Sequence, residues 1–107
     1  MAAAPLVLAL GACSRQTVQR SLTSTVVSGA TGYTPTTIVG NKEDTMMISV
    51  GNGTDREHGF SIEGYQVEKI VKPNEKVDVE FRLGRAGVFK VYCQLHPAHQ
   101  TATLVVR

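Results

Sequence analysis

Residues 76–83 alternate without exception between charged and apolar side chains. The charged set is Lys76, Asp78, Glu80 and Arg82, and the apolar set is Val77, Val79, Phe81 and Leu83. A period of two is typical of a β-strand that has one buried face and one face in water. No segment of the sequence shows a convincing helical period, so we expect a fold made of strands.

Short apolar runs continue through the chain after Pro35, separated by segments rich in Gly, Asn, Asp and Pro. They recur roughly every ten residues, a spacing typical of all-β domains. The predicted strands are Thr36–Val39, Thr45–Val50, His58–Ile62, Val67–Val71, Lys76–Leu83, Gly87–Cys93 and Ala102–Val106. About seven short strands with this patterning predict a small antiparallel β-sandwich or barrel.

The length and charge of the chain restrict its class further. With 107 residues, it has room for one such domain. The net charge of +2 comes without a cluster of Lys and Arg residues, which argues against nucleic acid as a partner.

The N-terminal segment has the composition of an export signal. An apolar run at residues 1–10 is followed at once by Gly11, Ala12 and Cys13, and it is too short to span a membrane. The stretch Leu10–Cys13 resembles the lipobox of bacterial lipoproteins, although no Lys or Arg precedes the apolar run. We therefore expect a lipoprotein-type signal peptide over residues 1–12 and a lipid anchor on Cys13, which would hold the protein on the periplasmic or another extracytoplasmic face of a bacterial membrane. The alternatives are another kind of export signal, an ordinary buried segment, or a disulfide between Cys13 and Cys93.

Residues 13–35 are dominated by Ser, Thr, Gly and Gln. This composition predicts a flexible tether, in which one strand around Leu22 to Val27 is the candidate element. The folded domain is then expected over residues 36–107.

All three histidines and the cysteine of the predicted domain lie in two short segments. His58 opens one predicted strand, while Cys93, His96 and His99 form the pattern C-x2-H-x2-H directly after another. A loop that closes on itself can bring three such side chains to one metal ion, and the fourth can arrive from a neighbouring strand. The sequence therefore predicts a metal site made of these four residues.

Thiolate and imidazole ligands suit copper or zinc and suit magnesium and calcium poorly. Structural zinc sites usually show two paired groups of ligands, whereas this chain has one tight group and one distant histidine, which favours a single copper ion. A structural zinc domain remains the alternative. No Met follows Cys93, so the loop that carries Cys93, His96 and His99 cannot supply a Met ligand. Glu57 is a second-choice substitute ligand.

From Thr36 to Val106 the sequence resembles the cupredoxins, small copper proteins. The resemblance rests on His-Gly-Phe-Ser-Ile at residues 58–62, on the strand ending in Cys93, and on the Cys-loop-His pattern that follows. Within that family the motifs most resemble those of the nitrosocyanin branch, whose copper site is red. The resemblance implies a Greek-key β-sandwich with the metal at one end.

The ligands carry over residue by residue. Cys93 and His96 match the thiolate and the loop histidine of the family, and His58 lies where most members have their first histidine. The nitrosocyanin branch has a carboxylate there. His99 lies where a Met is usual or, in nitrosocyanin, a second loop histidine, although the loop is shorter here.

These features predict an exported one-electron carrier that docks a redox partner protein through Leu95, Pro97 and Ala98. Two other functions remain open: copper binding and delivery, and an open copper site that binds or transforms a small molecule. No acid–base pair or activated nucleophile indicates a hydrolytic enzyme, so enzymatic activity, if present, would be that of a copper oxidoreductase.

Overall fold

Nine strands make up the part of the chain that the computed structural model describes, residues 16–27 and 29–107. They are β1 (Thr17–Val27), β2 (Ala30–Thr34), β3 (Thr37–Gly40), β4 (Thr45–Asn52), β5 (His58–Ile62), β6 (Val67–Val71), β7 (Lys76–Arg82), β8 (Gly87–Tyr92) and β9 (Ala102–Val106). All seven strands predicted from the sequence are present, with ends displaced by no more than two residues.

The strands form two sheets. Four strands lie in the order β2-β1-β4-β7 and five in the order β3-β9-β8-β5-β6. The all-β sandwich is therefore confirmed, but the arrangement is not purely antiparallel, because β1 pairs with β4 and β3 pairs with β9 in parallel. In both parallel pairs an N-terminal strand joins a sheet whose other strands pair antiparallel.

One apolar core lies between the sheets. Burial alternates along β4 and β9, as a period of two requires, and both strands turn their buried residues to the same cluster. The least exposed large side chains of the cluster come from both sheets, and they include Leu22, Met46 and Ile48 from the first and Phe60, Ile62 and Leu104 from the second.

The structure corrects the predicted tether over residues 13–35. β1 and β2 are part of the first sheet, and β1 is an inner strand between β2 and β4. Leu22 and Tyr33 are buried in the core, and the Arg20 guanidinium donates to the Val39 carbonyl of the second sheet at 2.8 Å. The alternation of apolar and polar residues expected of a strand is not visible in the sequence of β1, because two of its inward positions, Arg20 and Ser24, are polar.

The predicted signal peptide at residues 1–12 and the lipid site at Cys13 lie outside the described residues. Within the described ranges, the chain has no helix long and apolar enough to cross a membrane.

Candidate metal centre

Two neighbouring strands position the first ligands. His58 is the first residue of β5, and Cys93 follows the last residue of β8, which pairs antiparallel with β5. The loop after Cys93 then winds through two turns: the His96 amide donates to the Cys93 carbonyl at 3.4 Å, and the His99 amide donates to the His96 carbonyl at 3.0 Å. The C-x2-H-x2-H spacing matches these turns, so each ligand candidate follows the previous one by one turn.

His58, Cys93 and His96 come together as a group that could hold a metal ion. Cys93 Sγ lies 3.9 Å from His58 Nδ1 and 3.6 Å from His96 Nδ1, and the three ligand atoms lie within 4.8 Å of one another. Metal–nitrogen and metal–sulfur bonds of about 2.0 and 2.3 Å place adjacent ligand atoms about 3.6 Å apart. The separations therefore fit one ion, and a donor set of two imidazoles and one thiolate suits copper.

The hydrogen bonds of Thr54 favour one tautomer of His58. The Thr54 hydroxyl has one proton, and Asn52 Oδ1, 2.7 Å away, and the Arg56 carbonyl, 3.1 Å away, can only accept it. When the proton goes to either of these oxygens, Thr54 Oγ1 accepts from His58 Nε2, 2.8 Å away. The proton of His58 is then on Nε2, which leaves the Nδ1 lone pair facing Cys93 Sγ, the arrangement that a ligating histidine needs.

The Cys93 sulfur is also oriented before any metal binds. Cys93 is buried, and its Sγ accepts a hydrogen bond from the Gly59 amide at 3.1 Å. The Tyr33 hydroxyl donates to the carbonyl of the same glycine. Burial raises the pKa of Tyr33, and repulsion from a Cys93 thiolate would raise it further, so this phenol stays protonated and keeps donating.

His99 is buried beside the group but is held by other partners. The Gln100 carbonyl, 2.9 Å from His99 Nδ1, can only accept, so Nδ1 carries the proton. Nε2 therefore accepts from the Ser24 hydroxyl at 2.9 Å. The His99 ring lies 5.0 Å from that of His58 and 4.5 Å from that of Tyr33, between centroids. The structure thus groups three of the four predicted ligands, and ligation by His99 stays a prediction.

Burial keeps two of the histidines neutral. It is the main cause that lowers the pKa of His58, and nearby His99, His96 and Arg56 lower it further. Burial also lowers the pKa of His99, opposed by the Gln100 carbonyl and assisted by His96. Neutral imidazole is the form that binds metals, so both rings are in the binding form near neutral pH.

The surface around His96 is apolar. His96 is half-buried, and its loop neighbours Leu95, Pro97 and Ala98 are exposed, as the predicted docking patch requires. An open groove beside them is bordered by all three histidines and by Arg56.

The other sequence candidates lie elsewhere. Glu57 is exposed and is not in the ligand group, and Met46 is fully buried in the core. Sequence reasoning missed Ser24, Tyr33 and Gln94, whose roles depend on contacts between distant parts of the chain, and Thr54, which contacts His58 four residues further on. The only local signals were their types, a hydroxyl or an amide, and the position of Gln94 directly after Cys93.

The sequence profile of the cupredoxin-like domain family matches residues 2–106 of the chain. No curated protein is significantly similar to it in sequence.

Solved copper proteins share the fold at low identity. Auracyanin A, a "blue" copper protein from Chloroflexus aurantiacus, is 17% identical with a TM-score of 0.70, over 85% of this chain and 99% of that one. A copper nitrite reductase from Nitrosomonas europaea is 17% identical with a TM-score of 0.72, over 84% of this chain and 41% of that one. A copper-containing nitrite reductase from Thermus scotoductus is 17% identical with a TM-score of 0.66, over 88% of this chain and 28% of that one. The chain thus spans less than half the length of either reductase.

Proposed function

Because this chain belongs to the cupredoxin-like domain family, we propose that it binds one copper ion through His58, Cys93 and His96 and acts as a one-electron carrier. The observation that carries the proposal is the convergence of two imidazole nitrogens on a buried thiol whose sulfur already accepts a backbone hydrogen bond. Copper bound there would supply a one-electron couple whose potential depends on the surroundings of the Cys sulfur.

The residues around the ligands favour electron transfer because they resist rearrangement. Thr54 holds the His58 ring, the Gly59 amide holds the sulfur, and the turns after Cys93 hold His96. Ligands that stay in place in both oxidation states keep the reorganisation on electron transfer small. The exposed apolar residues Leu95 and Pro97 beside His96 suit a small, transient interface with a redox partner protein.

Titration with Cu(II) tests this function directly. We expect an intense thiolate-to-copper absorption band that saturates at about one equivalent, the stoichiometry of a single-ion site. Ascorbate should bleach the band and ferricyanide should restore it over repeated cycles. Absence of the band together with tight zinc binding would rule out the electron carrier and indicate a structural zinc domain. A band that appears but does not survive cycling, with copper passing readily to a competing chelator, would favour copper delivery.

A second candidate function, binding of a small molecule at an open copper position, is favoured by one observation. Both ring nitrogens of His99 are engaged, by Ser24 and by the Gln100 carbonyl, and the groove beside the histidines is open. We propose that His99 nevertheless becomes the fourth ligand, since Nε2 bears the lone pair. Ligation requires Nε2 to give up the Ser24 hydroxyl and to move towards the group of His58, Cys93 and His96, which does not include His99 in this structure.

His99→Ala separates the two candidates. We expect this variant to shift the thiolate-to-copper band strongly and to let an external ligand such as azide bind, because it removes the fourth ligand. Ser24→Ala is the matched control, since it removes only the competing hydroxyl and should leave the band in place. An unchanged spectrum in His99→Ala, with azide binding equal to that of the wild type, would mean that the fourth position is open in the native protein.

We also propose that the protein is exported and anchored by a lipid on Cys13. The support is the apolar run and the Leu10–Cys13 stretch of the sequence. Mass spectrometry of the membrane fraction would detect the modified N-terminal cysteine.

A further inference from the structure

The side chain of Gln94 bridges β5 and the edge strand β6 of the second sheet. Its Oε1 accepts from the Ser61 hydroxyl of β5 at 2.7 Å, and its Nε2 donates to the Lys69 carbonyl of β6 at 3.1 Å. Gln94 directly follows Cys93 in the chain. The carboxamide therefore attaches the residue after the thiol to the two strands beside it.

Gly59 provides the space for this bridge. A Cβ at position 59 would lie 2.8 Å from Gln94 Nε2 and closer still to Oε1 and Cδ. The backbone of Gly59 is not left-handed, so its conformation does not require glycine. A side chain at this position would therefore displace the Gln94 carboxamide from its two hydrogen bonds.

The same glycine carries the hydrogen bond to the sulfur. The Gly59 amide donates to Cys93 Sγ, and the Gly59 carbonyl accepts from Tyr33. Gly59 is thus held at three points. Its amide contacts the sulfur, its carbonyl contacts Tyr33, and the Gln94 side chain lies over its Cα. Loss of the Gln94 bridge would free the Cys93–Gln94 backbone to move away from β5 and lengthen the N–H···S contact.

We propose that Gln94 is a positioning residue that holds the Gly59 amide against Cys93 Sγ and thereby sets the reduction potential of the copper site. This inference rests on the proposed function. A hydrogen bond to the sulfur withdraws negative charge from the thiolate, so it favours the reduced, less positive metal state. Weakening that bond should lower the reduction potential.

Gln94→Ala tests the proposal with two readouts. In the metal-free protein, we expect the Gly59 amide proton to move upfield in NMR spectra, because its hydrogen bond to sulfur weakens. In the copper-loaded protein, we expect a lower reduction potential and a shifted thiolate-to-copper band. Ser61→Ala removes one of the two hydrogen bonds and should give a smaller change of the same sign, and it provides the test if Gln94→Ala does not fold.

The matched control is Gln66→Ala, which truncates an exposed glutamine in the turn between β5 and β6. It should leave the Gly59 amide shift and the potential at wild-type values. If Gln94→Ala and Ser61→Ala also leave both unchanged, the positioning role is wrong. If the wild type itself shows no thiolate-to-copper band, the proposed function fails, and the amide shift of the metal-free variants still decides whether Gln94 positions Gly59.

Discussion

Replacement of Cys93 by serine is expected to abolish the thiolate-to-copper band and to weaken copper binding. Cys93 Sγ is the atom on which His58 and His96 converge, so its loss removes the ligand that defines the site. Loss of an outer partner of a metal ligand alone costs about 10–100-fold in affinity, so loss of the thiolate should cost about 100-fold or more. Absorption spectra and competition with a chromogenic copper chelator measure the two effects.

The fold should survive this substitution. Serine is slightly smaller than cysteine and still offers an acceptor to the Gly59 amide, so the metal-free variant should unfold at nearly the wild-type temperature. The comparison should use residues 16–107, which lack Cys13, so that Cys93 is the only thiol. Persistence of the band in Cys93→Ser would remove this residue from the ligand set.

Deletion of residues 1–35 is expected to prevent folding. This deletion removes β1 from the middle of the first sheet together with β2, and it takes Leu22 and Tyr33 out of the core. Removal of one buried Leu side chain alone costs about 2–5 kcal/mol, and the whole stability of a domain is about 5–15 kcal/mol. The loss of two strands should therefore exceed what the remaining seven can provide.

Deletion of residues 1–15 is the matched control, because it leaves all nine strands intact. This shorter deletion should give a cooperative unfolding transition and a well-dispersed NMR spectrum, whereas the longer one should give neither. A cooperatively folded chain of residues 36–107 would restore the interpretation of residues 13–35 as a tether.

The strands after Pro35 could be predicted because their burial is decided locally. β4 and β7 turn apolar residues inward at alternate positions, and polar turn residues separate the strands, so the pattern is visible in a short window of sequence. The parallel partners of β1 and β3 could not be predicted from such a window, because pairing depends on strands distant in the chain.

β1 was anticipated only as one strand near residues 22–27 within a tether, for a reason that its contacts explain. At two inward positions it carries polar residues whose partners come from other elements: Arg20 reaches the Val39 carbonyl, and Ser24 bonds to His99, 75 residues further along the chain. A buried hydroxyl is tolerated when it has a hydrogen-bond partner. Without that partner in view, a Ser- and Thr-rich strand has the composition of a linker.

The residues of the metal site also differ in whether the sequence alone could reveal their roles. His58, Cys93 and His96 could be predicted because ligand type and loop spacing carry the information. The role of Gln94 could not, because it depends on which side chains meet across β5 and β6. The role of Thr54 depends on how the loop before β5 turns back towards His58, four residues further along the chain. The engagement of His99 by Ser24 likewise follows from the position of β1, which the sequence did not indicate.

The direction of β1 decides how an anchored protein would stand on a membrane. If Cys13 carries the proposed lipid, the four residues from Cys13 to Thr17 span at most about 14 Å, so the start of β1 must stay near the lipid headgroups. From Thr17 the strand runs about 23 Å to Ser24, at about 3.3 Å per residue, and Ser24 contacts His99 beside the metal ligands. If β1 points away from the bilayer, the end of the domain that carries the metal ligands faces the aqueous compartment, where a redox partner in solution can reach it.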